Sequence, residues 1–164
     1  MDEFEFAKRF AGIAHHKQRY GTNPYTYHLE QVEMVLNRFG FSTDVRLRIA
    51  AWLHDVIEDT PFSYDQIKFG FGAEVADVVY AVTNEMGRNR QERYAKTYPK
   101  IKDNEKALIL KLSDRIANVE FSKGTNTEYI NMYSREMPFF EAALYVKSDD
   151  KRIETMWQYL KSLF

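Results

Sequence analysis

Apolar residues recur along this chain at the spacing of an α-helix. Residues 4–14 and 29–36 both follow that spacing, and no segment alternates apolar and polar residues for long, as a half-buried strand would. Only seven Gly and four Pro interrupt the 164 residues, which favours long helices over many turns. The sequence therefore predicts an all-α fold, a helical bundle with short connections.

Further helices are predicted over residues 45–57, 73–82, 107–119, 128–146 and 149–163. The first of these should stop at Thr60-Pro61, because the residue before a proline disfavours helical backbone. The polar segment 88–102 is interpreted as loop with a short helix. No repeat and no Pro/Gly/Ser-rich linker divides the chain, so residues 1–164 are expected to form a single domain.

Composition excludes several classes of function. The chain has no cysteine, so any bound metal must use His, Asp or Glu. The net charge of -1 argues against a nucleic-acid partner. The acidic start, MDEFEFAKRF, lacks the layout of a signal peptide, and no stretch reaches the roughly 18 apolar residues of a membrane span. We expect a cytoplasmic protein without membrane or nucleic-acid partners; a homo-oligomer remains open.

Acidic and imidazole side chains interrupt the most apolar predicted helix, at AAWLHDVIEDT over residues 50–60. Burying unpaired carboxylates close together is unfavourable, so a divalent cation is the simplest compensation. Neighbouring helical residues point about 100° apart, which lets His54 and Asp55 chelate one ion. Glu58 shares their helical face, and Asp59 follows it. A carboxylate beside the cation can take a proton from water.

The same anomaly recurs in the apolar segment 108–119, where Asp114 is expected to be buried, and His28 opens the second predicted helix. Two imidazoles and two carboxylates suit Mn, Fe, Co or Mg better than a closed structural zinc site. Singly, each feature has an ordinary explanation, such as a chance His-Asp pair or a salt bridge from Asp114 to Arg115. Their joint occurrence in apolar helices favours the metal site.

At these residues the chain resembles the HD superfamily of metal-dependent phosphohydrolases, and more narrowly the hydrolase domain of RelA/SpoT-type alarmone enzymes and the small alarmone hydrolases. The matching motifs span about residues 14–120, and HDVIEDT (54–60) is the most specific of them. The resemblance implies an HD-domain helical bundle, and helical spacing adds C-terminal helices within 126–164. It also implies Mn²⁺, or another divalent ion, held by His28, His54, Asp55 and Asp114.

The resemblance further implies an activity: removal of pyrophosphate from the 3′ position of guanosine 3′,5′-bis(diphosphate). Glu58 and Asp59 would be the acidic pair that activates and positions the attacking water. The implied contacts to the nucleotide are Arg19, Lys111, Arg115 and Asn118. His15 and His16 are interpreted as structural or as flanking the base.

A basic segment offers a further phosphate contact. Residues 88–106 hold seven Lys or Arg against three Asp or Glu, and Arg90, Arg93 and Lys96 share a face if the segment is helical. Arginine binds phosphate through paired donors, so Arg90 and Arg93 are candidate substrate residues. A solvated surface segment is the equal alternative.

Three departures from the family pattern leave the substrate open. Lys17, Leu29 and Ala117 stand where Gly, Pro and His are frequent in the family. The alternative is therefore an HD phosphohydrolase acting on another nucleotide: a nucleoside monophosphate, an adenine alarmone or a phosphorylated dinucleotide cofactor. A module that binds a nucleotide without cleaving it is disfavoured, because no metal ligand or acid is missing. Aromatic residues of the C-terminal part are assigned to the core or to a dimer surface.

Overall fold

The computed structural model describes residues Met1–Phe164. Ten helices and one short antiparallel hairpin follow each other along the chain: α1 (Glu3–Ala14), β1 (Arg19–Tyr20), β2 (Asn23–Pro24), α2 (Thr26–Arg38), α3 (Val45–Leu53), α4 (Val56–Asp59), α5 (Tyr64–Phe71), α6 (Ala73–Val82), α7 (Arg90–Lys102), α8 (Glu105–Thr125), α9 (Thr127–Leu144) and α10 (Lys151–Ser162). The predicted all-α class is confirmed. The structure adds two elements that the pattern did not predict, α5 and the hairpin.

Helix α8 is the centre of the bundle. It packs against α2, α3, α6, α7, α9 and α10, and most of its residues are buried. One hydrophobic core of 40 buried residues runs from Ala7 in α1 to Leu160 in α10. Because α8 is covered on all sides, a polar residue in its middle must find its partners on neighbouring helices.

The predicted single helix over residues 45–57 is wrong. Helix α3 ends at Leu53 with His54 as its C-cap, and α4 begins only at Val56. The backbone of Asp55, at φ -101° and ψ 0°, departs from ideal α-helical angles, and Asp55 is the N-cap at which the second helix begins. The predicted stop before Pro61 is confirmed, since Thr60 is extended at φ -132° and ψ 167°. His54 and Asp55 thus lie at a helix junction, which frees both side chains to approach α2 and α8.

Helix α7 is also longer than predicted. The segment interpreted as loop and short helix forms 13 helical residues, with Asn89 as N-cap accepting from the Glu92 backbone N–H. Its buried face repeats at helical spacing: Tyr94, Thr97, Tyr98 and Ile101. Hydroxyl-bearing side chains occupy three of these four positions, so the segment has weak hydropathic periodicity although its face is buried.

The hairpin turns at Gly21, whose φ of +60° lies in the left-handed region that favours glycine. This turn brings Tyr20 back over α2 and α8, where its ring stacks on His28 and contacts Phe121. No helix of the protein is both long and apolar enough to cross a membrane.

Candidate metal centre

Four polar side chains from three places in the fold meet in the interior. His28 lies in the first turn of α2, His54 and Asp55 lie at the α3–α4 junction, and Asp114 lies in the middle of α8. Both histidines are almost completely buried, at 2% and 3% exposure. Residues separated by as many as 86 positions in the sequence therefore share one polar site inside an apolar bundle.

The facing atoms of this group are the two imidazole Nε2 atoms and one oxygen of each carboxylate. His28 Nε2 lies 3.2 Å from Asp114 Oδ1 and 3.8 Å from Asp55 Oδ2. His54 Nε2 lies 3.0 Å from Asp55 Oδ2 and 3.7 Å from Asp114 Oδ1. The ligand atoms of His28, His54 and Asp55 all lie within 4.8 Å of one another, a separation that one ion can bridge, and Asp114 Oδ1 faces both imidazoles.

The hydrogen bonds of His54 test whether the group suits a cation. Its Nδ1 lies 2.7 Å from the Ala51 carbonyl oxygen, which can only accept, so Nδ1 carries the hydrogen. Nε2 is buried, has no other hydrogen-bond partner and faces Asp55 and Asp114. A positive charge between two carboxylates is favourable there, and a divalent cation would take the place of the proton that Nε2 carries in the protein alone. The donor set therefore fits a divalent cation bound by nitrogen and oxygen.

A second set of contacts orients the carboxylates. The Tyr25 hydroxyl donates to Asp55 Oδ2. Lys111 Nζ donates to Asp114 Oδ2 at 3.0 Å, and Asn118 Nδ2 donates to Asp114 Oδ1 at 2.7 Å. The Tyr20 hydroxyl in turn donates to Asn118 Oδ1 at 2.7 Å. These donors fix which oxygen of each carboxylate faces the histidines.

Ionisation in the cluster follows from its charges. Burial alone would raise the pKa of Asp55 and Asp114, but the adjacent imidazoles and, for Asp114, the Lys111 ammonium hold both pKa values below their usual range. Burial opposes the charged form of His54, yet the two carboxylates raise its pKa above the ordinary value. Both carboxylates are therefore charged at neutral pH, as a cation site requires.

The two candidate acids lie in different surroundings. Glu58 accepts from the Asn84 backbone N–H at 2.8 Å, and Arg93 Nη2 lies 3.2 Å from its Oε2. Asp59 Oδ2 accepts from Gln18 Nε2 at 2.8 Å. Desolvation and the neighbouring Asp55 carboxylate raise the pKa of Asp59. Both acids are thus held by hydrogen bonds across the fold, next to the chain that supplies His54 and Asp55.

Most of the cations predicted to bind substrate already have acidic partners. Arg90 Nε lies 2.7 Å from Glu136, and Arg115 Nη1 lies 2.9 Å from the same carboxylate. Arg115 is only 3% exposed, which places it in the packing between α8 and α9. Lys111 Nζ lies 3.0 Å from Asp114 Oδ2. Arg93 Nη2 lies 3.2 Å from Glu58 Oε2. Arg19 and Arg90 are both exposed, and Arg19 is the one of the five whose side chain forms no ion pair.

A cavity of about 560 Å³ opens beside the hairpin. Aromatic rings of the hairpin, α8 and α9 line it, together with two of the predicted cations: Tyr20, Phe121, Tyr129, Tyr133, Arg19 and Arg90. Because Tyr20 also stacks on His28, the cavity adjoins the metal cluster. Flat aromatic walls with guanidinium groups at the edge suit a nucleotide.

Sequence reasoning missed several residues of the site: Gln18, Tyr20, Tyr25 and Asn84. Gln18 and Tyr25 lie within the span of the matching motifs, but nothing in the spacing pairs them with Asp59 and Asp55. Of the two N-terminal histidines, His15 is buried and contacts Gln18 Oε1 at 2.7 Å, which agrees with a structural role. His16 is exposed.

The fold and the site together define an all-α protein in which His28, His54 and Asp55 could hold a divalent cation, with Asp114 facing both imidazoles. A sequence profile of the HD domain matches residues 4–138. The chain therefore belongs to the HD domain family, and the resemblance stated from its motifs is confirmed.

Similar proteins share a common name. A guanosine-3′,5′-bis(diphosphate) 3′-pyrophosphohydrolase of Aquifex aeolicus is 36% identical over 125 residues, which cover 73% of this chain and 18% of that protein. The enzyme of the same name called MESH1 in Mus musculus is 31% identical over 165 residues, covering 96% of this chain and 90% of that protein. The MESH1 of Drosophila melanogaster is 31% identical, and the match covers 68% of this chain and 64% of that protein.

The fold recurs in solved structures. The structure of a metazoan ortholog of SpoT superposes with a TM-score of 0.81 over 100% of this chain and 98% of that chain, at 24% sequence identity. A Listeria monocytogenes protein superposes with a TM-score of 0.66 over 84% of this chain and 95% of that one. At these identities the likeness concerns the fold.

Proposed function

We propose that this protein is a metal-dependent phosphohydrolase that removes pyrophosphate from the 3′ position of guanosine 3′,5′-bis(diphosphate). The observation that carries the proposal is the buried convergence of His28, His54, Asp55 and Asp114 beside an aromatic cavity. The names of the relatives support the substrate, as does the specific motif at residues 54–60. The resident ion is proposed to be Mn²⁺, with those four residues as ligands.

When bound, a divalent cation polarises a phosphate oxygen and lowers the pKa of water. The protein's own residues do the rest. Glu58 is proposed to accept the proton of the attacking water, and Asp59, held by Gln18, to position it. Arg19 and the aromatic walls of the cavity are proposed to hold the nucleoside.

The predicted phosphate contacts divide into two groups. Arg90 reaches the cavity and is a proposed substrate ligand, although binding must compete with Glu136. Lys111 and Asn118 are proposed to act by orienting Asp114, and Arg93 by contacting Glu58.

One observation favours a second candidate substrate. A bis(diphosphate) brings a large negative charge, yet four of the five predicted substrate cations are already paired with acids. A nucleotide with fewer phosphates, such as a nucleoside monophosphate or a phosphorylated dinucleotide cofactor, needs fewer unpaired cations.

The test is a panel of phosphorylated nucleotides with purified protein and Mn²⁺, with kcat/KM measured for each. Release of pyrophosphate from the guanosine bis(diphosphate), at the highest kcat/KM of the panel, is the expected result. Glu58→Gln is the matched control, expected to keep Mn²⁺ binding and lose about 10²- to 10⁴-fold in kcat. No turnover of any nucleotide by the Mn²⁺-loaded protein would remove the proposal, and a higher kcat/KM for a monophosphate would replace the substrate.

A further inference from the structure

The carboxylate of Glu58 is held by three donors from outside its own helix. The Asn84 backbone N–H donates to Oε1 at 2.8 Å, and the Asn84 side-chain Nδ2 donates to Oε2 at 3.3 Å. Arg93 Nη2 also donates to Oε2, at 3.2 Å. One residue thus contacts both oxygens of the proposed proton acceptor, which fixes the plane of the carboxylate as well as its position.

These contacts leave one acceptor position of the Glu58 carboxylate free. A carboxylate offers about four acceptor positions, two on each oxygen. Two donors on Oε2 fill that oxygen, and one donor on Oε1 leaves a single position there. The atom of Glu58 available to a water molecule is therefore Oε1.

The orientation of the Asn84 amide is set by the same chemistry. Its Nδ2 faces Glu58, while its Oδ1 is buried without a hydrogen-bond partner. Reversing the amide would set Oδ1 against the carboxylate oxygen, which is repulsive. An unsatisfied buried carbonyl is unfavourable, so the contact from Nδ2 to Glu58 is the interaction that holds the side chain in place.

The segment that carries Asn84 is anchored on both sides. Lys100 Nζ donates to the Thr83 carbonyl oxygen at 2.8 Å and lies 2.7 Å from Glu85 Oε1. The Glu85 backbone N–H donates to Thr97 Oγ1 at 2.9 Å. Helix α7 thus fixes the residues before and after Asn84, so its donors are in place before any substrate binds.

We propose that Asn84 is the positioning residue of Glu58, the one that directs Oε1 toward the reacting water. The proposal rests on the proposed function, in which Glu58 is the proton acceptor. Arg93 makes one contact from a side chain that is 38% exposed, whereas Asn84 makes two, one of them from anchored backbone. Asn84 is therefore assigned the larger part.

The kinetic test combines Asn84→Ala with Glu58→Gln. Asn84→Ala should lower kcat about 10-fold, with KM and Mn²⁺ affinity within about 2-fold, because misplacing a catalytic group costs rate rather than binding. In the Glu58→Gln background the same change should cost less than about 2-fold in kcat, since there is no proton acceptor left to misplace. An equal fractional loss in both backgrounds would overturn the proposal, as would a raised KM with kcat unchanged.

Two variants that add the same negative charge distinguish a local effect on Glu58 from an effect of net charge. Asn84→Asp turns the donor into an acceptor facing Glu58 and should lower kcat by up to about 100-fold. Asn104→Asp adds the same charge at the N-cap of α8, where aspartate also accepts from the Ala107 N–H, and should leave kcat unchanged. Equal losses in the two variants would assign the effect to net charge and overturn the proposal.

A stability measurement, which needs no enzymatic turnover, distinguishes this proposal from the proposed function on which it rests. Urea unfolding midpoints are measured for Asn84→Ala, Glu58→Gln and the double variant in the Mn²⁺-loaded protein. The double variant should unfold close to the midpoint of the less stable single variant, because both changes remove the contact from Asn84 Nδ2 to Glu58 Oε2, while the Asn84 backbone N–H is kept in every variant. Additive shifts would overturn the contact even if the protein hydrolyses nucleotides. Non-additive shifts without any hydrolysis would remove the proposed function and retain the contact.

Discussion

Replacing Arg115 by methionine separates a structural role for this cation from the substrate role that its motif implies. Its guanidinium lies 2.9 Å from Glu136, 4.8 Å from the Tyr133 ring centroid and 4.5 Å from that of Phe140. Only 3% of the residue is exposed. Methionine keeps an unbranched apolar stem in that space and removes only the charge and its donors.

The expected loss of stability depends on the contacts that Glu136 keeps when Arg115 is replaced. Removing one partner of a buried ion pair costs about 3–5 kcal/mol when the other charge is left alone. Glu136 retains Arg90 at 2.7 Å, and its side chain is 20% exposed, so water compensates part of the loss. With the ring contacts included, we expect a decrease of about 2–4 kcal/mol in the free energy of unfolding. For a chain of this length, about 3 kcal/mol lowers Tm by about 6–12 °C.

The assay pairs thermal unfolding with steady-state kinetics. We expect Arg115→Met to lower Tm by that amount while KM for the nucleotide stays within about 2-fold of the wild-type value. Glu136→Gln should cost less in this background than in the wild type, because its contact with Arg115 is already lost and only the exposed pair with Arg90 remains. A variant with unchanged Tm and a KM raised more than about 10-fold would refute the reasoning and restore Arg115 to the substrate site.

Three further outcomes test other parts of the structure. Asp114→Ala should weaken Mn²⁺ binding by at least about 10-fold in calorimetry, and unchanged affinity would remove Asp114 from the ligand set. Burial would raise the pKa of Glu136, but its two arginine partners hold that pKa below the ordinary value. The ionised carboxylate therefore stabilises the folded protein above the unfolded-state pKa of about 4.5, and this stabilisation is lost as the pH falls through the lower pKa of the folded state. Urea unfolding from pH 7 to 4 should therefore show a flatter dependence for Glu136→Gln, and identical slopes would contradict the assignment. Gly21→Ala should destabilise by about 1–2 kcal/mol in urea unfolding, because φ is +60° and the new Cβ would lie 3.2 Å from Phe121 Cζ. Gly124→Ala, with no atom within 4 Å of its Cβ, is the control and should be neutral or stabilising.

The helical spacing of apolar residues predicted most of the helices, because residues at that spacing share the buried face of a helix. Helix α6 has the bounds that the pattern predicts, and α8, α9 and α10 lie where periodicity places them. The pattern gave wrong helix bounds in two places. The buried face of α7 consists largely of Tyr and Thr, and the junction at His54 and Asp55 breaks a segment that is apolar throughout.

The sequence by itself predicted the chemistry of the site: without cysteine, imidazoles and carboxylates within apolar helices are the groups left to bind a cation, and His28, His54, Asp55 and Asp114 are the proposed ligands. Tertiary structure alone decided their partners. A motif fixes which groups are close along one helix, whereas the contacts of Glu58 with Asn84 and of Arg115 with Glu136 join separate helices. Such pairs depend on how helices pack, a property of the whole core that no local spacing encodes.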